Sequence, residues 1–165
     1  MPTRPTRRLL LLFLALGLGA CGGSDPPAEP VAYQLLFNEF ASRAFPEATH
    51  VVRNQAQLDA LWASGQPWVG LGVPAPQDAP AIDFSRSTLV GVTLGLGYRC
   101  YIPEILSVTS RGDTLTVAWR TNRDRQITTS ACRHEFTLNS FLTVPAWPGP
   151  VVFDYRAETA GSTPP

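Results

Sequence analysis

The chain contains no lysine; arginine supplies all 13 of its basic residues. A loop that cradles nucleotide phosphates uses a lysine at the β and γ phosphates, so the glycine-rich stretch from Gly91 to Gly97 is not one. Positive charge is also unevenly spread. Arg4, Arg7 and Arg8 fall in the first eight positions, and from residue 21 onward 10 arginines face 13 Asp and Glu, a formal charge of −3. No nucleic-acid partner is expected of such a body. The only imidazoles are His50 and His134, with no Cys-x-x-Cys or His-Glu-x-x-His spacing beside them. Zinc wants about four converging ligands, so neither a metal site nor a cofactor is expected. No serine sits in a Gly-x-Ser-x-Gly elbow. What remains, 165 residues of which 44% are hydrophobic, is enough for one small domain.

Residues 1–20 form an address. The three early arginines precede the apolar run Leu9 to Leu18, and Gly19, Ala20 and Cys21 follow. A basic start, a short apolar segment and a small-residue site make an export signal, and the run is shorter than the ~20 apolar residues a bilayer span needs. Leu18-Gly19-Ala20-Cys21 resembles the lipobox of bacterial lipoproteins. That resemblance implies cleavage before Cys21, a diacylglyceryl group on its thiol and an acylated (palmitate-type) amino terminus. More than one lipid chain makes such attachment stable. The alternative is an ordinary secretory signal that leaves Cys21 a free thiol. Residues 21–30 are rich in Gly and Pro and read as a flexible tether. The expected location is the bacterial cell envelope, lipid-anchored and facing the periplasm or exterior. Gly22 after the cysteine is similar to outer-membrane sorting if the source has two membranes.

With Cys21 used by lipid, Cys100 and Cys132 remain as an even pair. They close a loop of 33 residues, and a bridge there is worth roughly 4 kcal/mol on the chain-entropy estimate. A disulfide is therefore expected, two buried thiols being the competing state.

The folded part, residues 31–158, reads as a small β-rich α+β domain: five to seven mainly antiparallel strands with one helix packed on the sheet. Asn54 and Gln57 have capping-box spacing, and Leu58, Leu61 and Trp62 share one face of a helix that Gly65-Gln66-Pro67 stops near Ser64. Strands are expected within Val31–Phe40, over Thr49–Arg53 and, as the central one, over Thr88–Leu94. Tyr101–Thr109 and Thr114–Thr121 flank a turn at Ser110-Arg111-Gly112-Asp113, with an irregularity near Pro103. A further strand is expected within Ile127–Leu138, and a last one at Val151–Tyr155. Asp83 is expected to cap a turn, and residues 159–165 read as a disordered tail.

Aromatic residues mark a candidate binding surface: Trp68 in the long loop 67–80, Tyr98 and Tyr101 around Arg99, and Trp147 in Pro145-Ala146-Trp147-Pro148-Gly149-Pro150. Aromatics concentrate at interaction hot spots, although Trp68 and Trp147 equally suit packing beneath their own loops.

The stretch from about His50 to Phe153 resembles the C-terminal domain of the PrcB family. The likeness runs through Val51-Val52-Arg53-Asn54-Gln55, Leu61-Trp62, Ile82-Asp83-Phe84-Ser85, Leu89-Val90-Gly91-Val92-Thr93-Leu94-Gly95, Ile105-Leu106-Ser107-Val108, Asp113-Thr114-Leu115-Thr116-Val117 and Val151-Val152-Phe153. Family members commonly carry Pro-Thr-Gly-Gly-Tyr where this chain has Leu96-Gly97-Tyr98-Arg99-Cys100. The resemblance implies a lipoprotein subunit that supports a partner protease and has no catalytic residue of its own. The expected function is thus non-catalytic: a membrane-tethered domain that binds or stabilises another exported protein. A cell-envelope module for a sugar or cell-wall fragment is the first alternative. The second is a hydrolase with His50 or His134 beside a carboxylate.

Overall fold

In the computed structural model, which describes residues 26–36, 40, 42–67, 78–98, 102–121 and 135–157, helix formation begins at the expected cap. The Asn54 side chain accepts the Gln57 amide at 2.9 Å, and Gln57 Oε1 accepts the Arg53 amide at 2.7 Å. One orphan amide of the first turn is thereby satisfied, together with the amide just before the cap. Helix α1 runs Gln55–Ser64 and buries Leu58, Leu61 and Trp62. Its carboxyl end is held by Arg43, whose guanidinium donates to the carbonyls of Gly65 (2.9 Å) and Trp62 (3.3 Å) and lies 4.4 Å over the Trp62 ring. A cation there also complements the helix dipole.

The strands are β1 (Glu29–Pro30), β2 (Gln34–Leu35), β3 (Arg43–Ala44), β4 (Ala48–Val52), β5 (Gln66–Pro67), β6 (Ser87–Tyr98), β7 (Pro103–Arg111), β8 (Thr114–Thr121), β9 (Glu135–Pro145) and β10 (Val151–Tyr155). They form a first sheet ordered β1-β7-β8-β10, a second ordered β2-β9-β6-β4, and the small pair β3-β5. All pairings are antiparallel except β10 on β8.

Alternation along β6 and β9 explains the layering. Leu89 and Phe141 join Leu58, Leu61 and Trp62 in one buried cluster, whereas their neighbours Val90 and Leu142 join Val108, Leu115 and Val117 in another. The second sheet is therefore covered on both faces, by α1 on one side and by the first sheet on the other. That is why β6 reads as a nearly continuous apolar run. Burying each such Leu or Val is worth ~1.5–3 kcal/mol, so the two clusters carry the stability of the domain.

Across the middle of the second sheet, Gly91 stands between His50 and Phe141. The Phe141 ring lies over the glycine: a Cβ on Gly91 would fall 2.2 Å from Phe141 Cδ1. Phe40 stacks on that ring at 4.1 Å, and His50 lies 5.7 Å from it. Buried Asn139, also on β9, donates to the carbonyls of Phe40 (3.1 Å) and Arg43 (2.9 Å), fixing the segment that delivers Phe40 to the core.

The amino-terminal segment acts as a strap. Glu29 and Pro30 pair with Ser110 and Thr109 of the first sheet, and Gln34 and Leu35 pair with Thr143 and Leu142 of the second. Between and beside these pairs, Val31 packs into one core cluster and Leu36 into the other. β1 thus takes up the last two residues of the segment read as tether.

The architecture is the expected small α+β domain with a helix on a sheet system, but two expectations are corrected and one is extended. Among the described residues there are ten strands across three sheets rather than five to seven, because four strands are two-residue pairings that leave no periodicity to read. The strand sought within Ile127–Leu138 is met at residues 135–138 and runs on to Pro145, while residues 127–134 lie outside the described residues. Beyond Leu138 the strand carries Asn139, a buried clamp. Finally, the disulfide is withdrawn: no bridge forms among the described residues, and Cys21, Cys100 and Cys132 all lie outside them. Apolar packing accounts for the layers.

Candidate binding surfaces

Trp147 is placed by the link between β9 and β10. Its indole N–H donates to the Asp113 carbonyl at 3.0 Å, its backbone N–H donates to Thr88 Oγ1 at 2.9 Å, and its ring packs against the cluster between the two sheets. Arg53 donates to the carbonyls of Trp147 (3.0 Å) and Gly149 (2.7 Å). The link approaches the β7–β8 turn so closely that a Cβ on Gly149 would sit 2.0 Å from the Asp113 oxygen. Trp147 is thus a half-buried strut joining β6, the β7–β8 hairpin and the last link, the packed alternative of its sequence reading. Trp68, Arg99, Tyr101 and His134 lie outside the described residues, and of Tyr98 only the backbone, paired with Glu135 at the end of β6, is described.

His50 is part of the core wall. Its Nε2 meets Thr93 Oγ1 at 2.8 Å, and the same hydroxyl donates to the Pro46 carbonyl. A hydroxyl that gives its proton to Pro46 accepts from Nε2–H. Burial pushes the His50 pKa below its ordinary 6.5. Its partners are a hydroxyl and an aromatic ring, which suit packing better than acid–base work.

Two features face solvent. The first is a groove of about 520 Å³ between the strap, the end of β9 and the turn before β6, with Tyr33, Gln34, Asp83, Arg86, Thr143 and Pro145 on its walls. Asp83 caps that turn as expected: its Oδ1 accepts from the Ser85 hydroxyl (2.5 Å) and amide (3.0 Å). The Ser85 hydroxyl and amide, aided by Arg86, hold its carboxyl below the ordinary 3.8. The groove exists because pairing stops there. Leu36 donates to the Phe141 carbonyl, and residues two apart on a strand face the same edge. Pro145 is the position where the ladder would continue after Thr143, and it has no N–H to give.

The second feature is the outer edge of β10. Leu115 donates to the Pro150 carbonyl and Arg156 to the Trp119 carbonyl, so residues 150, 152, 154 and 156 face β8. By alternation the N–H and C=O groups of Val151, Phe153 and Tyr155 point away from it, and no strand pairs with that side among the described residues. Val152 and Tyr155 are each 48% exposed, and the Tyr155 ring leans on Trp119 at 4.8 Å. Natural edges are usually blunted by lysine, proline or a bulge, and β10 carries none of these along Val-Val-Phe-Asp-Tyr.

No family model, curated protein or solved structure matches the chain. The PrcB-like resemblance therefore rests on the quoted residues alone. Among the described residues no group of three or more His, Cys, Asp or Glu converges as metal ligands, and no helix is long and apolar enough to cross a membrane. Sequence reading did not reach the groove, whose walls come from residues some 110 positions apart. The single local signal was the Asp83-Phe84-Ser85 turn.

Proposed function

We propose that the chain is an exported, lipid-tethered domain of the bacterial cell envelope that binds or stabilises another exported protein and performs no chemistry itself. The observation that supports this most is the open edge of β10: unpaired main-chain donors and acceptors beside exposed Val152 and Tyr155 suit an extended partner segment added as a further strand. Main-chain bonds would supply affinity, and the side chains either side of the edge would supply selectivity. The Leu18-Gly19-Ala20-Cys21 sequence supports the anchor, and the PrcB-like pattern makes a protease the first partner to look for.

Crosslinking in native membranes followed by isolation of the chain tests the proposal. A discrete adduct with one exported protein is expected. Tyr155→Pro removes an outward N–H without touching the bonds to β8, so it should abolish the adduct, while Tyr155→Phe should retain it. Recovery of the wild-type chain only as a monomer, or of an adduct indifferent to Tyr155→Pro, overturns the proposal.

A further inference from the structure

The groove at the strap has a chemistry distinct from the β10 edge. An added strand does not fit it, because Pro145 withholds the N–H that would continue the ladder; recognition there falls to side chains. Those side chains are of two kinds. Tyr33, 39% exposed, and Pro145 offer flat apolar surface. Gln34, Asp83 and Arg86 offer planar groups able to make paired hydrogen bonds, and Thr143 adds a hydroxyl.

Charge narrows the ligand further. Asp83 and Arg86 are three residues apart on one turn, joined by the bond from the Arg86 amide to the Asp83 carbonyl at 3.2 Å. One negative and one positive group so close leave no net field to concentrate an ion of either sign. The matching ligand is neutral, carries adjacent hydroxyls for the planar groups and has an apolar face for a ring. From these walls we infer that the groove binds a neutral saccharide, stacked on Tyr33 with vicinal hydroxyls shared between Asp83 and Arg86. Its volume of about 520 Å³ lies within the range of small-ligand sites, and the site is partly preformed because the Ser85 hydroxyl and amide already orient the Asp83 carboxylate.

The site is independent of the β10 edge, so its failure leaves the protein-binding proposal standing. Nuclear magnetic resonance titration of the full chain with short, soluble β-linked glucose and N-acetylglucosamine oligomers tests it. Saturable shifts at residues 32–34, 83–87 and 143–145, with millimolar affinity, are expected. Tyr33→Ala should weaken binding about tenfold, the scale of one aromatic contact. Tyr33→Phe should retain binding, and Arg86→Gln should weaken it without changing the urea midpoint. Absence of saturable shifts with either oligomer, shifts centred elsewhere, equal affinity for Tyr33→Ala, or tighter binding of an acidic peptide than of either sugar overturns the assignment.

Discussion

Substituting Gly91 by alanine tests the packing that joins the two halves of the second sheet. The added Cβ would lie 2.2 and 2.3 Å from Phe141 Cδ1 and Cε1, against the ~3.5–4.0 Å at which carbon atoms rest. The ring has little room to yield. Phe40 stacks on it at 4.1 Å, Phe45 meets it edge-on at 5.5 Å, and it is 1% exposed. Overpacking a rigid site costs ~1–3 kcal/mol, and disturbing the aromatic stack adds ~0.5–1.5 kcal/mol. Gly91→Ala should therefore cost about 3 kcal/mol, lowering the urea midpoint by about 1 M or more at unchanged slope. Phe141→Ala alone should cost ~3–5 kcal/mol by leaving a cavity. In the double variant the methyl occupies part of that cavity, so the combined loss should fall short of the sum by ~1–3 kcal/mol. A Gly91→Ala protein within ~0.5 kcal/mol of wild type, or strictly additive losses, would refute the placement of the ring over the glycine.

Asn139→Ala removes both donors to the Phe40 and Arg43 carbonyls and should cost ~2–4 kcal/mol in urea unfolding, since two buried acceptors lose their partner at ~1–3 kcal/mol each with partial relief by water. Asn54→Ala should cost ~1 kcal/mol and fray only the first turn of α1, visible as faster amide exchange at residues 55–57. His50 sets a pH window. Its folded-state pKa lies below 6.5, so the unfolded chain binds the proton more tightly, and stability is full above about pH 6.5 and declines as pH falls toward the folded value. His50→Asn should flatten that decline in urea midpoints measured between about pH 7.5 and 5.5. Asp83, depressed below 3.8, acts in a lower window: its contribution is present above the unfolded value and is lost as pH falls through the folded one.

Much of the layered core was legible because its determinants are local. Asn54, Gln57, Leu58, Leu61 and Trp62 lie within one short window and specify where a helix starts and which face it buries. The β7–β8 hairpin was equally readable, from alternation in Thr114–Thr121 and the Gly112-Asp113 turn. β9 was read only in part because what marks its continuation past Leu138, a buried asparagine with two distant carbonyl partners, is a tertiary fact. Of the strap, β2 falls within the strand expected over Val31–Phe40, whereas β1 was hidden for a related reason: a two-residue pairing gains its meaning only from partners far along the chain. Trp147 shows the limit at the candidate surface. Its proline-rich surroundings suit a displayed ring and a tucked one equally, and the choice is made by Asp113, Thr88 and Arg53, none of them nearby in sequence.

The strap also governs when the fold can close. Glu29 to Leu35 leave the ribosome early, yet their partners Thr109, Ser110, Leu142 and Thr143 are among the later residues to be synthesised. Contacts so distant along the chain make for high contact order and slow closure. A nascent chain of this design stays unclosed until β9 has emerged, which, on the export proposed above, would keep it threadable while a channel took it.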